Sequence, residues 1–308
     1  MAITAGMVKE LREMTGAGMM DCKKALTETN GDMNAAVDYL RKKGQATAQK
    51  RAGKIAAEGL VTFKIADDNK TAAIVEVNSE TDFVAKNEIF REFVNDVAAQ
   101  ALETAASDME GFLAEPWKKN PSITVNDALV EKIALIHENL KIRRFEKITT
   151  DGFIGGYIHG GGRIGVLVEL DAANDSDAVR NAAKDVAMQV AALNAQFISR
   201  DDVSEEHLAH EREILMEKAM QEANGKPANI VAKMVEGRLA KELKDVCLMD
   251  QIYFRDNEQT IAKFLKGASQ EAGTPIAVKK FIRFETGEGI EKKEEDFAAE
   301  VAAQMQQK

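Results

Sequence analysis

Apolar positions over the first 45 residues recur at helical spacing. Ile3, Met7, Val8, Leu11 and Met14 stand three and four apart, the stripe of an amphipathic helix. Thr15-Gly16-Ala17-Gly18 interrupts that stripe with the backbone freedom a tight turn needs. Met19, Met20, Cys22, Ala25 and Leu26 make a second apolar face. Asn30-Gly31-Asp32 then supplies a turn and an N-cap before a third face of Met33, Ala36, Val37 and Leu40. Residues 1–45 are therefore predicted to form a three-helix N-terminal domain with a marginal core of its own. A basic stretch with Arg41, Lys42, Lys43, Lys50, Arg51 and Lys54 starts at the end of that domain and runs into the linker assigned to 46–57. Such a charge run is able to contact phosphate, although a solvated linker helix accounts for it equally simply.

After Glu58 the period shortens from helical to strand-like. Residues 60–65 and 72–77 read as strands around an Asp67-Asp68-Asn69 turn, followed by a helix with Phe90, Phe93, Val94, Val97 and Ala101 on one face. The same ββα order returns with strands over 153–158 and 166–170, then a helix carrying Val179, Ala183, Val186, Val190 and Leu193. Ile74-Val75-Glu76-Val77-Asn78 aligns with Leu167-Val168-Glu169-Leu170-Asp171, which points to an internal duplication. The chain is accordingly divided into a core N-subdomain, 58–139, and a core C-subdomain beginning over 140–203 with a strand at 140–145. Between the repeats, 104–138 is irregular and then helical.

Residues 204–244 are charged and helical, interrupted once at Asn224-Gly225-Lys226-Pro227. Leu208, Leu215 and Ala219 can face Ile230, Met234 and Val235 in an antiparallel helical hairpin too polar to be deeply buried. The chain then returns to the C-subdomain over 245–280. It ends in a C-terminal module, 281–308, with a strand at 281–284 and a helix from Asp296 bearing Phe297, Val301 and Met305. The predicted fold class is α+β.

Composition narrows the function. Of 308 residues 45% are hydrophobic, which excludes global disorder, and no apolar run approaches the ~18 residues of a membrane helix. The formal charge of −10 argues against general affinity for nucleic acid or anionic membrane. Met1-Ala2-Ile3-Thr4-Ala5-Gly6, followed at once by Lys9 and Glu10, lacks the features of a signal peptide, so a cytoplasmic location is expected. Cys22 and Cys247 lie too far apart in the chain to suggest a disulfide framework or zinc knuckle.

Catalytic constellations are scarce. No phosphate loop and no Gly-x-Ser-x-Gly elbow occurs, although His159-Gly160-Gly161-Gly162 superficially resembles an oxyanion loop. Gly160-Gly161-Gly162-Arg163-Ile164-Gly165 satisfies the dinucleotide pattern, but that pattern needs a following helix and a strand is predicted instead. His207 and His210, beside Glu206 and Glu211, form either a metal face or a solvated helix surface. His137 has no partner in the sequence, and neither cysteine has a local basic neighbour that would mark a nucleophile. No cofactor, metal ligand or covalent catalytic residue is predicted. What stands out is Asn78-Ser79-Glu80-Thr81-Asp82-Phe83-Val84-Ala85-Lys86-Asn87, at a strand end before a helix. Two readings compete there. Thr81 or Asp82 caps a helix whose Phe83, seven residues before Phe90, joins the core; or the stretch is a binding loop.

The residues also carry a resemblance. Leu11-Arg12-Glu13-Met14-Thr15-Gly16-Ala17-Gly18-Met19-Met20-Asp21-Cys22-Lys23-Lys24-Ala25-Leu26 resembles the first signature of the bacterial translation elongation factor Ts family. Glu76-Val77-Asn78-Ser79-Glu80-Thr81-Asp82-Phe83-Val84-Ala85-Lys86 resembles its second. His159-Gly160, Arg163-Ile164-Gly165-Val166-Leu167-Val168, Phe281-Ile282-Arg283-Phe284 and Gly287-Glu288-Gly289-Ile290-Glu291 are similar to further parts of it.

The resemblance implies a ubiquitin-associated-like N-terminal fold, two related core subdomains, a hairpin dimerisation domain and a C-terminal module. It implies guanine-nucleotide exchange on elongation factor Tu, in its GDP-bound and nucleotide-free forms, without covalent chemistry. It places the stretch matching Thr81, Asp82, Phe83 and Val84 near the partner's Mg²⁺ site, where it dislodges the ion. Leu11, Met19 and Met20 are implied to meet a helix of the GTPase domain, and His159 a more distant domain. A homodimer or heterotetramer through the hairpin is the implied assembly. Two other functions compete with it: a docking unit built on the three-helix domain, and a dinucleotide-dependent enzyme built on Gly160 to Gly165.

Overall fold

The computed structural model describes residues 2–222 and 227–291. It opens with α1 (Ala5–Thr15), α2 (Met19–Glu28) and α3 (Met33–Arg51). Local chemistry sets their ends. Thr4 Oγ1 accepts from the Met7 amide (3.3 Å), Asp32 accepts from the Ala35 amide (2.9 Å), and Gly16 closes α1 with φ 67°. Leu11, Cys22, Ala25, Leu26 and Ala36 are fully buried among these helices. Met14, Met19 and Met20 are not part of that core; they face outward.

The first sheet follows. β1 (Glu58–Ile65) and β2 (Thr71–Ser79) form an antiparallel pair, and the short α4 (Asp82–Lys86) and α5 (Glu88–Glu103) come next. The stretch 104–138 contains α6 (Met109–Ala114), a small hairpin of β3 (Pro116–Trp117) and β4 (Asn120–Thr124), and α7 (Val125–Ile136). β5 (Lys141–Thr149) then pairs with the free edge of β2, so the sheet order is β1-β2-β5. The sequence pattern had assigned this strand to the second subdomain. Its register explains the difference: Arg144 stands opposite Glu76 and ion-pairs with it at 2.6 Å, while Phe145 lies opposite Val75.

The second sheet repeats the arrangement with β6 (Phe153–His159), β7 (Ile164–Asp171) and α8 (Asp177–Leu193). The projecting pair α9 (Glu205–Gln221) and α10 (Ala228–Val246) follows, then β8 (Ile252–Tyr253), β9 (Asp256–Thr260) and α11 (Ile261–Ala272). β10 (Ala277–Glu285) finally pairs with β7 in the order β10-β7-β6. The strand expected to open a C-terminal module is thus the outer strand of this sheet. The expected helix from Asp296 lies outside the described residues.

Each sheet packs one face on helices and the other on its counterpart. On β2, Ala73, Val75 and Val77 meet Phe90, Phe93, Val94 and Val97, whereas Ala72 and Ile74 meet Ile154, Leu167 and Ile282 of the second sheet. That two-sided burial explains why β2 and β7 read as nearly continuous apolar runs. In the α9–α10 pair the apolar seam is Leu215 and Ala219 against Val231, Val235 and Leu239. Ile230, expected to face inward, is 42% exposed, and Met234 is half-buried. The hairpin therefore starts one residue out of the expected phase, because Val231 rather than Ile230 begins the buried stripe.

The residues read as a linker, 46–57, are helical up to Arg51 and continuous with α3. Nothing in Gln45-Ala46-Thr47-Ala48-Gln49-Lys50 breaks a helix, and buried Gly44 faces α7 at Ala134 and Val130. After β10, Gly287 adopts φ 74°, and a Cβ there would lie 2.1 Å from the Ala57 carbonyl oxygen. Gly287→Ala is expected to destabilise the protein by about 1–3 kcal/mol. A denaturant midpoint equal to that of the parent would show that this turn relaxes without cost.

Candidate functional site

β2 leads directly into the segment singled out by the sequence. At its end Thr81 is extended (φ −124°, ψ 155°) and caps the five-residue α4, its Oγ1 accepting from the Val84 amide at 3.4 Å. The Ser79 hydroxyl donates to the Thr81 carbonyl (3.0 Å). Thr81 also donates its own N–H and hydroxyl to Glu138, at 3.1 and 2.7 Å.

Phe83 projects from this cap and is 79% exposed. The expectation that it joins the core in phase with Phe90 assumes one uninterrupted helix. Asn87 breaks that phase: its ψ of 132° is extended, and its side chain caps α5 by accepting from the Ile89 amide at 2.8 Å. Val84, next in sequence, turns the other way and is buried in the core under α5. It anchors the segment from below and offers no surface.

Asp82 sits exposed in the first turn of α4 and pairs with Lys86 at 2.6 Å. The hydrogen bond from Lys86 holds its carboxyl below the ordinary carboxylate range, so Asp82 stays ionised beside its ammonium partner. The Lys86 ammonium also stands 5.8 Å from the centre of the Phe83 ring. A protruding aromatic flanked by a carboxylate is the result.

β2, the strand that leads to the tip, also carries a polar node absent from the expectations above. Glu76 is fully buried, yet accepts from Arg143 (3.0 Å), Arg144 (2.6 Å), the Asn78 amide side chain (3.0 Å) and the Gly287 backbone N–H (2.8 Å). The available signal was a carboxylate inside an apolar strand, but its partners are up to 211 positions away. Asn78 also donates to the Glu58 carbonyl (3.1 Å), fastening β1 to the end of β2.

The other candidates fall into two groups. Met19 and Met20 are 61% and 73% exposed on α2, as Met14 is on α1, and give the N-terminal helices adaptable apolar side chains in solvent. Leu11 is fully buried below them. His159 lies at the exposed tip of the β6–β7 hairpin, its Nδ1 3.1 Å from the Tyr157 hydroxyl. Gly160, Gly161 and Gly162 all have positive φ, and β7 follows them. The helix that a dinucleotide loop requires is thus replaced by a strand.

Among the described residues no group of three or more His, Cys, Asp or Glu side chains is arranged to hold a metal ion. His207 instead packs its ring on Phe197, with centroids 5.3 Å apart. Burial pushes the thiols of Cys22 and Cys247 up, away from the thiolate form a nucleophile needs. Among the described residues no helix is long and apolar enough to cross a membrane.

Residues 80–288 match the sequence pattern of the family described as "Elongation factor TS". The chain is 56% identical over 307 residues to the elongation factor Ts of Clostridium novyi (strain NT), covering 99% of this chain and all of that one. It is 54% identical over 303 residues to that of Clostridioides difficile (strain 630), covering 98% and 99%. Similarity to the elongation factor Ts of Halothermothrix orenii is 48% identity over 308 residues, the full length of both chains.

Proposed function

The chain belongs to the elongation factor Ts family, and on that premise we propose how its geometry does the family's work. It is a guanine-nucleotide exchange factor for elongation factor Tu in translation elongation. The tip formed by Thr81, Asp82 and Phe83 enters the partner beside its nucleotide-bound Mg²⁺. Phe83 acts as an apolar wedge that displaces side chains supporting the ion. Asp82 brings polar contacts and a negative charge unfavourable to phosphate. Mg²⁺ bridges protein and phosphate oxygens, so disturbing its supports removes a large attraction holding GDP. Exchange is reciprocal: the factor by which this protein weakens GDP binding is the factor by which GDP weakens its own.

The observation that carries the reading is the 79% exposure of Phe83 on a capped, anchored turn. A side chain this exposed contributes little packing, and its place on a capped turn at a strand end is where binding residues are carried. The test loads elongation factor Tu with fluorescent GDP and times its release. Release is expected to accelerate with this protein at micromolar concentration, and an unchanged rate would sink the assignment.

The remaining contacts follow the same premise. Met19 and Met20 meet a helix of the GTPase domain, with buried Leu11 supporting them from within, and His159 reaches a more distant domain. The chain divides into a ubiquitin-associated-like domain, two subdomains derived by duplication, the second of which takes in β10, and a dimerising hairpin. The matching orders β1-β2-β5 and β6-β7-β10 support the duplication. Exposed Met216, Met220 and Ile230 support the hairpin as the homodimer or heterotetramer contact. The protein works in the cytoplasm and makes or breaks no covalent bond.

A further inference from the structure

Apart from the Lys86 ammonium 5.8 Å from its ring centre, Phe83 is positioned by its backbone, since its side chain is mostly in solvent. That backbone needs help. α4 has five residues, well below the length at which helical propensity sustains a helix. The bond from the Val84 amide to Thr81 Oγ1 is long at 3.4 Å, so the cap by itself is weak. The strong bonds at this corner come from the connection between α7 and β5. Glu138 accepts both the N–H (3.1 Å) and the hydroxyl (2.7 Å) of Thr81, one on each carboxylate oxygen.

Glu138 is itself fixed from both sides. Before it, His137 takes the left-handed conformation (φ 63°) that closes α7, its N–H donating to the Ile133 carbonyl at 2.9 Å. After it, the Asn139 N–H donates to Glu80 Oε1 (2.5 Å) and its side-chain amide to the Lys54 carbonyl (2.7 Å). Glu80 in turn pairs with Arg51, at the last turn of α3, at 3.2 Å. The corner is therefore cross-braced to α3, α7 and β2, and its closest link to the protruding ring is the carboxylate on Thr81.

We propose that Glu138 is a positioning residue for nucleotide exchange: its carboxylate clamps Thr81 and thereby aims Phe83 at the partner. This rests on the reading that Phe83 is the inserted group. Being half-buried and off the exposed tip, Glu138 acts through Thr81.

The experiment measures GDP release from elongation factor Tu against concentration of the full-length protein, for the parent and for Glu138→Ala, Glu138→Gln, Thr81→Val, Phe83→Ala and the Thr81→Val/Glu138→Ala double variant. Glu138→Ala is expected to lower the maximal release rate roughly tenfold, a loss matching a charge-assisted contact. Its melting midpoint should stay within about 3 °C of the parent, and amide exchange should quicken only over 81–87. Glu138→Gln keeps one acceptor oxygen for Thr81 and should recover part of the rate. The double variant should fall no further than its worse single, because both changes remove one contact. Parent-like exchange by Glu138→Ala with Phe83→Ala impaired would overturn the clamp and leave the insertion reading standing. Parent-like exchange by Phe83→Ala would overturn both. A rate loss in Glu138→Ala matched by a general fall in melting temperature and protection, with no recovery in Glu138→Gln, would also overturn the clamp.

Discussion

Phe83→Ala is expected to reduce acceleration of GDP release by roughly thirtyfold or more, the loss of a central aromatic anchor at an interface. Stability should change by no more than about 0.5 kcal/mol, because truncating an exposed side chain removes little packing. The two readouts separate the roles a phenylalanine can play here. Phe90, fully buried seven residues later, is the internal control: Phe90→Ala should cost about 3–5 kcal/mol through the cavity it leaves. Far-UV circular dichroism with thermal unfolding measures one effect, and fluorescent GDP release the other. A Phe83→Ala protein that melts early, or exchanges as fast as its parent, would remove Phe83 from the mechanism.

The reason sequence left Phe83 ambiguous is local and physical. Seven residues is two helical turns, so Phe83 and Phe90 share a face only if the helix between them is continuous. Asn87 suits an N-cap as well as a helix interior tolerates it, and a single sequence does not say which role it takes. The break at Asn87 turns Phe83 outward and Val84 inward. Met19 and Met20 present the mirror case. They extend the apolar face of α2 in sequence, yet a module this small has room inside only for Cys22, Ala25 and Leu26.

Elements whose partners are near in sequence were legible. The three N-terminal helices, the β1–β2 and β6–β7 hairpins and the helices after them follow from period and turn chemistry. Strand membership was not legible. β5 joins β2 across four helices and a small hairpin, and β10 joins β7 after the α9–α10 excursion. Glu138 escaped notice for the same reason, since the Thr81 it holds is 57 positions away. The aligned segments around Glu76 and Glu169 point to duplication, whereas the physical role of Glu76 emerges only from the pairing of strands.

Glu76→Ala is expected to destabilise the protein by about 3–5 kcal/mol, as much as emptying the Phe90 site. A buried carboxylate on this scale gains little net energy from its ion pairs, because desolvating the charges offsets most of the attraction. Removing it is a different matter. Arg143 and Arg144 would lose their central counter-charge, and the Asn78 amide and Gly287 N–H would lose an acceptor in a space closed to water. The remaining ties are peripheral: Arg143 to the Glu288 carbonyl (2.5 Å), Arg144 to the Glu285 carbonyl (3.2 Å) and to the Glu288 carboxylate (3.0 Å). Since Glu76 joins β2, β5 and the turn after β10, its loss loosens the seam between the two sheets as well as the strand leading to Thr81. Glu76→Gln keeps the shape and an acceptor and should cost less, about 1–3 kcal/mol. Equilibrium unfolding in urea gives the order parent, Glu76→Gln, Glu76→Ala if the node acts as a buried acceptor of several donors. Equal midpoints for parent and Glu76→Ala would mean that water or side-chain rearrangement replaces the carboxylate at no cost. Exchange activity of the folded fraction should survive in Glu76→Gln, because the node supports the strand that carries the tip and does not touch the partner.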